Sequence, residues 1–390
     1  MTERERIPRS KDNDYSTDWA TQRREFIERH CGTKLDHVSR YSIDPQLLPG
    51  NIENFIGVAQ VPLGIAGPLR INGEYASGDF LIPMATTEGT LVASYSRGMR
   101  AISECGGVKT TVVEQFMQRA PAFVFADARE AREFGAWVEN HFAEIKAAAE
   151  STTRIGKLTH IQQWSVARTR YLRFNYTTGD AAGQNMVSKA TYAACLWIKS
   201  AYKGSYRYQL SGNMDTDKKH SHMNMLHTRG TRVIAETVFP RETLQRLMGV
   251  DTRQLWEARN ISNTGAMLAG AAYNGPHSAN GIAALFIATG QDEANVVESH
   301  GGLVVSELLG NGDYYFSITL PSLIVGTFGG GTALPTQREC LEMLGCNGKD
   351  KAKKFAEIVA ATVLAGDISL ACAVLAGDWV SSHEKMGRNR

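Results

Sequence analysis

The longest apolar stretch of this chain runs from Ile358 to Val380, and it constrains the fold more than any other segment. A run of that length can cross a membrane when it carries few charges. Asp367, Asp378 and several small residues interrupt it, which favours one or two helices buried in the core of a large domain. A core helix needs layers of other elements around it. At about 100–200 residues per domain, 390 residues supply two or three domains. Helical patterns are expected over 334–344 and 351–380.

Composition closes off other classes. Apolar residues make up 43% and charged residues 21%, so the chain is neither disordered, collagenous nor a coiled coil. The net charge of +2 gives no bulk basic surface for nucleic acid. Cys31, Cys105, Cys195, Cys340, Cys346 and Cys372 form no CxxC pair and match no common zinc spacing. They read as free thiols of a reducing compartment. The start, MTERERIPRSKDNDYS, is polar and lacks the apolar core of a secretion signal, so a cytoplasmic location is expected.

Along the chain, residues 1–45 read as an N-terminal helix or arm, and 56–71 as loops and short strands. Phe80 to Ala85 reads as a strand, followed by a helix capped by Thr87 and ended by Gly106 and Gly107, which puts Glu88 at its positive end. Residues 108–210 look like a separate unit. It holds a short strand at 122–125, a charged helix over 127–149, a strand at 171–176 and a helix through Lys199. An apolar helix at 281–290 and a strand at 314–324 follow. Strands alternating with helices indicate α+β or α/β packing.

Six places could carry chemistry. GDAAGQNM at 179–186 joins a strand to a helix through small residues, which suits a diphosphate or is an ordinary tight turn. Gly329, Gly330 and Gly331 stand between a strand and a helix. Such a cluster lets backbone pass close to a cofactor or to another chain segment. Asp217, Lys218 and Lys219 cluster in SGNMDTDKKH, either as a solvated charge run or as an ammonium aimed at a substrate oxyanion. Glu88 reads as a helix-end charge and Asp292 as a cap or turn former. His383 sits in the polar tail, where a histidine is ordinarily solvated. His220 and His222 form HxH without a visible third ligand, so no metal site is expected.

Taken in order, these motifs resemble the 3-hydroxy-3-methylglutaryl-coenzyme A (HMG-CoA) reductase family. The matching pieces are ENFIG (53–57), VPLGIAGPL (61–69), PMATTEG and LVAS (83–94), RGMRAI (97–102), GDAAGQNM, SGNMDTDKK (211–219), ATGQD (288–292), VGTFGGGT (325–332) and the tail SSH…NR. The likeness covers residues 50–390 and is similar to the biosynthetic, NADPH-using class. It implies an α+β fold: a large domain built round a central helix, with an inserted ferredoxin-like small domain that holds the nucleotide. The expected parts are a helical arm (1–45), large domain (46–119 and 220–375), small NADP-binding domain (120–210), active-site loop (211–219) and catalytic flap (376–390).

The resemblance also implies roles. Lys218 stabilises the oxyanion, Glu88 donates a proton, Asp292 couples the two, and His383 protonates the leaving CoA thiolate. Arg119, Ser211, Asn213, Asp217, Lys219 and Asn280 bind the HMG moiety, and Ser94 and Arg97 contact CoA. NADPH is held by Thr153, Arg154, Asp180, Gly183, Gln184, Asn185, Gly329, Gly330, Gly331, Thr332, Asn389 and Arg390. HMG-CoA and mevalonate are the expected ligands, reduction proceeds through a mevaldehyde-level intermediate, and a homodimer or dimer of dimers builds its active site at the subunit interface. No nucleic acid or membrane partner is expected. The chain departs from the family pattern around the acyl-CoA site. Arg259 stands where Lys is common, Thr231 stands beside Arg232 at a position that is commonly a CoA-contacting Lys, and HxH follows the DKK. A relative acting on another acyl-CoA, and an inactive CoA- or dinucleotide-binding homologue, are the alternatives.

Overall fold

The structure is a computed structural model that describes residues 5–377. The apolar C-terminal stretch is one helix, Ala352–Ala376, buried along most of its 25 residues. It is the one described helix long and apolar enough to cross a membrane, and the fold covers it. Helices Leu91–Glu104 and Ser278–Thr289 pack against it, as do strands Val108–Arg119 and Gly230–Phe239.

Small residues set how closely these helices approach. The ring of Tyr95 lies between Gly281 and Gly366, where any Cβ would strike it. Its hydroxyl donates to the His277 carbonyl at 2.7 Å. Helix Leu91–Glu104 presents Leu91, Tyr95, Met99 and Ile102 to the core and turns Arg100 and Glu104 outward, the spacing of an amphipathic helix.

Six strands form the sheet beside these helices. Leu63–Gly73 pairs with Ser77–Ala85 in an antiparallel hairpin and, through Ile71, with Val108 in parallel. Val108–Arg119 then pairs with Gly230–Phe239, which pairs with Tyr314–Leu323, which pairs with Leu303–Leu308, all antiparallel.

Residues 122–209 build a second layer with its own core. Strand Arg207–Gln209 lies beside Ala122–Val124, then Thr169–Thr177, then Lys157–Val166, all antiparallel. In chain order this is strand, two helices, two strands, helix, strand, with the first and third strands central. Helices Ala128–Asn140, Phe142–Glu150 and Gln184–Ala201 bury Phe134, Val138, Ile145, Val187, Ala194 and Ile198 against Phe123, Leu172 and Phe174. Strand Val108–Arg119 belongs to both layers, because Met117–Arg119 also pairs with Phe174–Tyr176. The separate unit expected from residue 108 therefore begins after this shared strand.

The structure corrects other boundaries. The first core helix begins at Leu91, with Thr90 at φ 71° as its cap position, so Thr87 and Glu88 lie in the turn before it. The charged helix over 127–149 is two helices divided at His141. Strand Lys157–Val166 was invisible to the pattern, since half of it faces solvent and its alternation is weak. The arm carries a helix, Thr17–Cys31, whose buried Arg23 is ion-paired with Asp14.

Candidate active site

Strand Arg207–Gln209 runs into the loop 211–219, whose backbone is unusual. Asn213, Thr216 and Lys218 all have positive φ, at 65°, 57° and 54°. Non-glycine residues hold that conformation only where their surroundings over-determine it. Here buried charges do so. Arg119 donates to Asp215 at 3.0 Å and to Asp217 at 3.5 Å, and Ser211 donates to Asp215 at 2.8 Å. Arg229 joins Asp217 and Glu298, each at 2.7 Å. The Lys218 N–H donates to Glu298 at 2.7 Å, and Lys219 Nζ donates back to the Asp217 carbonyl.

At the loop's tip, Lys218 Nζ lies 2.7 Å from Asp292 Oδ2. That hydrogen bond raises the Lys218 pKa above its ordinary value, with partial burial pulling the other way. The other oxygen of Asp292 accepts from the Ala294 N–H at 3.1 Å. One oxygen of Asp292 thus caps a turn while the other grips the lysine.

Asp292 follows the apolar helix Ser278–Thr289, closed by Gly290 at φ 69°. Asn280, in the first turn of that helix, donates to Glu88 at 2.7 Å. A 12-residue helix is about 18 Å long. Glu88 and the Lys218–Asp292 pair therefore sit at opposite ends of one helix. Ser94 and Arg97 lie on the helix that follows Glu88 and both bind Ser369 of the buried C-terminal helix.

A groove of about 580 Å³ opens beside Asp292. Its walls are the loop 181–186, residues 290–293 and the glycines 329–331 with Thr332. Gly183, at φ 88°, starts helix Gln184–Ala201, and no side chain caps it. Gln184 reaches Asn295 at 3.0 Å and Asp217 at 3.4 Å, tying the groove to the lysine loop; Asn185 lines the wall. The three glycines differ in their surroundings. A Cβ on Gly331 would stand 2.8 Å from the Gly290 carbonyl oxygen, so that residue is close-packed. Gly329 and Gly330, at φ 84° and 57°, have open space where a Cβ would be.

Three anticipated residues have partners of their own. Asp180 accepts from the N–H groups of Asp350, Lys351 and Ala352, and so caps the long core helix. Thr153 accepts from the Ile155 and Gly156 N–H groups and lies 3.3 Å from Met186 Sδ, with Arg154 exposed beside it. Asn213 donates its N–H to Ser211 Oγ at 3.4 Å. His383, Asn389 and Arg390 lie outside the described residues. Asp215, Arg229 and Glu298 were not anticipated. A buried charge looks in sequence like any surface charge, and only its partners set it apart.

The family model described as hydroxymethylglutaryl-coenzyme A reductase matches residues 20–388. A 3-hydroxy-3-methylglutaryl-coenzyme A reductase of Pyrococcus horikoshii is 46% identical over 94% of this chain and 91% of its own. That of Methanocaldococcus jannaschii is 44% identical over 98% and 96%. The chain belongs to the HMG-CoA reductase family. Among solved structures, the class II 3-hydroxy-3-methylglutaryl-CoA reductase from Streptococcus pneumoniae, described as bound to NADPH in open conformations, superposes with a TM-score of 0.70. It covers 91% of this chain and 97% of its own at 19% identity, which establishes the shared mixed α and β fold. The paired Lys218 and Asp292 and both glycine-bearing loops fall within the HMG-CoA reductase match.

Proposed function

We propose that this chain reduces HMG-CoA to mevalonate and free CoA through two successive reductions by NADPH. The Lys218–Asp292 pair, held at the edge of the glycine-lined groove, carries this reading. A cation fixed before the reaction can stabilise an oxyanion by several kcal/mol, because no reorganisation is needed as charge develops. Lys218 polarises the thioester carbonyl and later the aldehyde carbonyl. Asp292 holds the ammonium in place and keeps it charged. Arg119, braced by Asp215 and Asp217, faces the substrate carboxylate with Ser211, Asn213 and Lys219 around it. Glu88, oriented by Asn280, supplies the proton to the reduced carbonyl oxygen. His383 protonates the departing thiolate, and Ser94 and Arg97 flank the CoA path.

The groove fits a dinucleotide on its own chemistry. Gly183 opens a helix that no side chain caps, so backbone N–H groups are available to a diphosphate. Gly329 and Gly330 leave space where any side chain would intrude. Thr153, Arg154, Asp180, Asn185, Thr332, Asn389 and Arg390 complete the proposed nucleotide contacts, Asp180 by fixing the loop. NADPH, when bound, supplies hydride. We read residues 120–210 as a ferredoxin-like nucleotide-binding unit, since the strand order and the intervening helices match that arrangement. Residues 46–119 and 220–375 form the large domain around the buried helix, with 1–45 as an arm and 376–390 as the flap.

The distance along helix Ser278–Thr289 supports assembly of the site from two copies. Within one chain Glu88 is held at the Asn280 end of that helix, while Lys218 is held by Asp292 just past its other end. A second copy that brings its Glu88 to this chain's Lys218 solves the geometry, as a homodimer or dimer of dimers would. The test is NADPH oxidation with HMG-CoA, counting nucleotide consumed per CoA thiol released. About two per thiol with mevalonate formed is expected from the chemistry of a four-electron reduction. No turnover from a folded dimer with either nicotinamide nucleotide would overturn the proposal.

A further inference from the structure

Lys218 has to hold its ammonium at one point while its backbone occupies a conformation that L residues rarely adopt, φ 54°. Two contacts fix it, and both come from one short segment. Asp292 opens the turn Glu293–Asn295 and grips Nζ. Glu298, in the helix Val296–Ser299 that follows directly, accepts the Lys218 backbone N–H at 2.7 Å. Arg229 Nε donates to the same Glu298 oxygen at 2.7 Å, and its Nη2 donates to Asp217 at 2.7 Å. Neither the Arg229 nor the Glu298 side chain has any solvent-exposed area. One buried ion pair therefore clamps the side chain of residue 217 and the backbone of residue 218 together.

We propose that Glu298 and Arg229 are positioning residues for the reaction, holding the strained backbone of Lys218 so that its ammonium stays on Asp292. The inference rests on the reading of Lys218 as the oxyanion-stabilising cation. Glu298 acts through Lys218 and not on substrate. Burial pushes its carboxyl above the ordinary carboxylate range, and Arg229 opposes that shift. Both hydrogen bonds end on Oε1, while Oε2 is buried without a partner. An amide in this place can therefore keep both bonds through its oxygen, and a methyl group keeps neither. Glutamine and alanine thus separate the acceptor from the residue's bulk.

The experiment compares the full chain with Glu298→Gln, Glu298→Ala and Arg229→Lys. Kinetics with HMG-CoA and NADPH are read beside the melting temperature. In parallel, limiting amounts of an amine-selective acylating reagent are added and acylation of Lys218 is followed by peptide mass spectrometry. Loss of positioning in Glu298→Ala is expected to lower kcat about tenfold or more with KM within about twofold, and Glu298→Gln to restore most of it. Lys218 acylation should rise in the alanine variant and stay at the parent level in the glutamine variant. Arg229→Lys keeps a cation beside Glu298 but cannot span Glu298 and Asp217, so it should act in the same direction as alanine. It also covers the case in which Glu298→Ala does not fold.

A folded alanine or Arg229→Lys variant with parental kcat and Lys218 acylation would overturn the proposal. So would equal losses in the glutamine and alanine variants with Lys218 acylation unchanged, the pattern of a group that acts on substrate itself. A parent chain inactive on HMG-CoA would sink the functional reading, and the acylation comparison would still decide the positioning.

Discussion

Gly98 lies where helix Leu91–Glu104 crosses the buried helix Ala352–Ala376. A Cβ at this position would stand 2.6 Å from the Ala365 carbonyl carbon and 3.1 Å from its Cα. Non-bonded carbons rest about 3.5–4.0 Å apart, so Gly98→Ala must separate the helices by about 1 Å. The obstacle is backbone, which cannot rotate aside as a side chain would. Overpacking typically costs about 1–3 kcal/mol, and an unyielding wall places this variant at the upper end. With an unfolding entropy of about 2.1 cal/mol/K per residue, 3 kcal/mol lowers the melting midpoint of 390 residues by about 4 °C. The same movement draws Ser94 and Arg97 away from Ser369, so KM for the acyl-CoA should rise. Calorimetry and initial-rate kinetics measure both effects. Gly265→Ala is the control, because nothing lies within 4 Å of its added Cβ. There the gain in helix propensity should stabilise by about 0.5–1 kcal/mol. Shifts of the same sign in both variants, or a Gly98→Ala midpoint within about 1 °C of the parent, would refute the steric argument.

Lys218→Met removes the cation at the oxyanion and should lower kcat by about 10²–10³-fold, measured by NADPH oxidation. Asp180→Ala leaves the N–H groups of Asp350, Lys351 and Ala352 without their carboxylate. A loss of about 0.5–2 kcal/mol in denaturant titration is expected, together with a rise in KM for NADPH as the loop that Asp180 fixes loosens. A KM rise at unchanged stability would instead make Asp180 a nucleotide contact. Burial raises the Asp367 carboxyl to about 7. Its folded value lies above its unfolded one, so the stability it contributes is complete below about pH 4 and lost as pH rises through 7. Asp367→Asn carries no such loss, and its melting point relative to the parent should climb between pH 4 and 8.

The core was legible in the sequence to a large extent. The run from Ile358 pointed to buried helix because a long apolar stretch broken by Asp367 and Asp378 suits a core better than a membrane. Helix Gln184–Ala201 and strand Tyr314–Leu323 were located from periodicity and turn residues. Boundaries were less readable. The helix expected from Thr87 begins at Leu91, because an N-cap residue type also suits the preceding turn. Strand Val108–Arg119 was missed as a link between two sheets, since pairing partners lie far away along the chain.

By itself the sequence determined the family and the apolar helix at the heart of the fold, and named the candidates for chemistry. Motif identity and hydropathy are local properties, and they survive without coordinates. Only the tertiary structure decided which candidates work together. It joined Lys218 to Asp292, placed Glu88 at the far end of the same helix and set the Asp180 carboxylate on the first N–H groups of the long core helix. It also exposed Arg229 and Glu298, whose importance comes from burial. A charge is costly inside a protein unless its partners are fixed, and those partners become neighbours only when the chain folds.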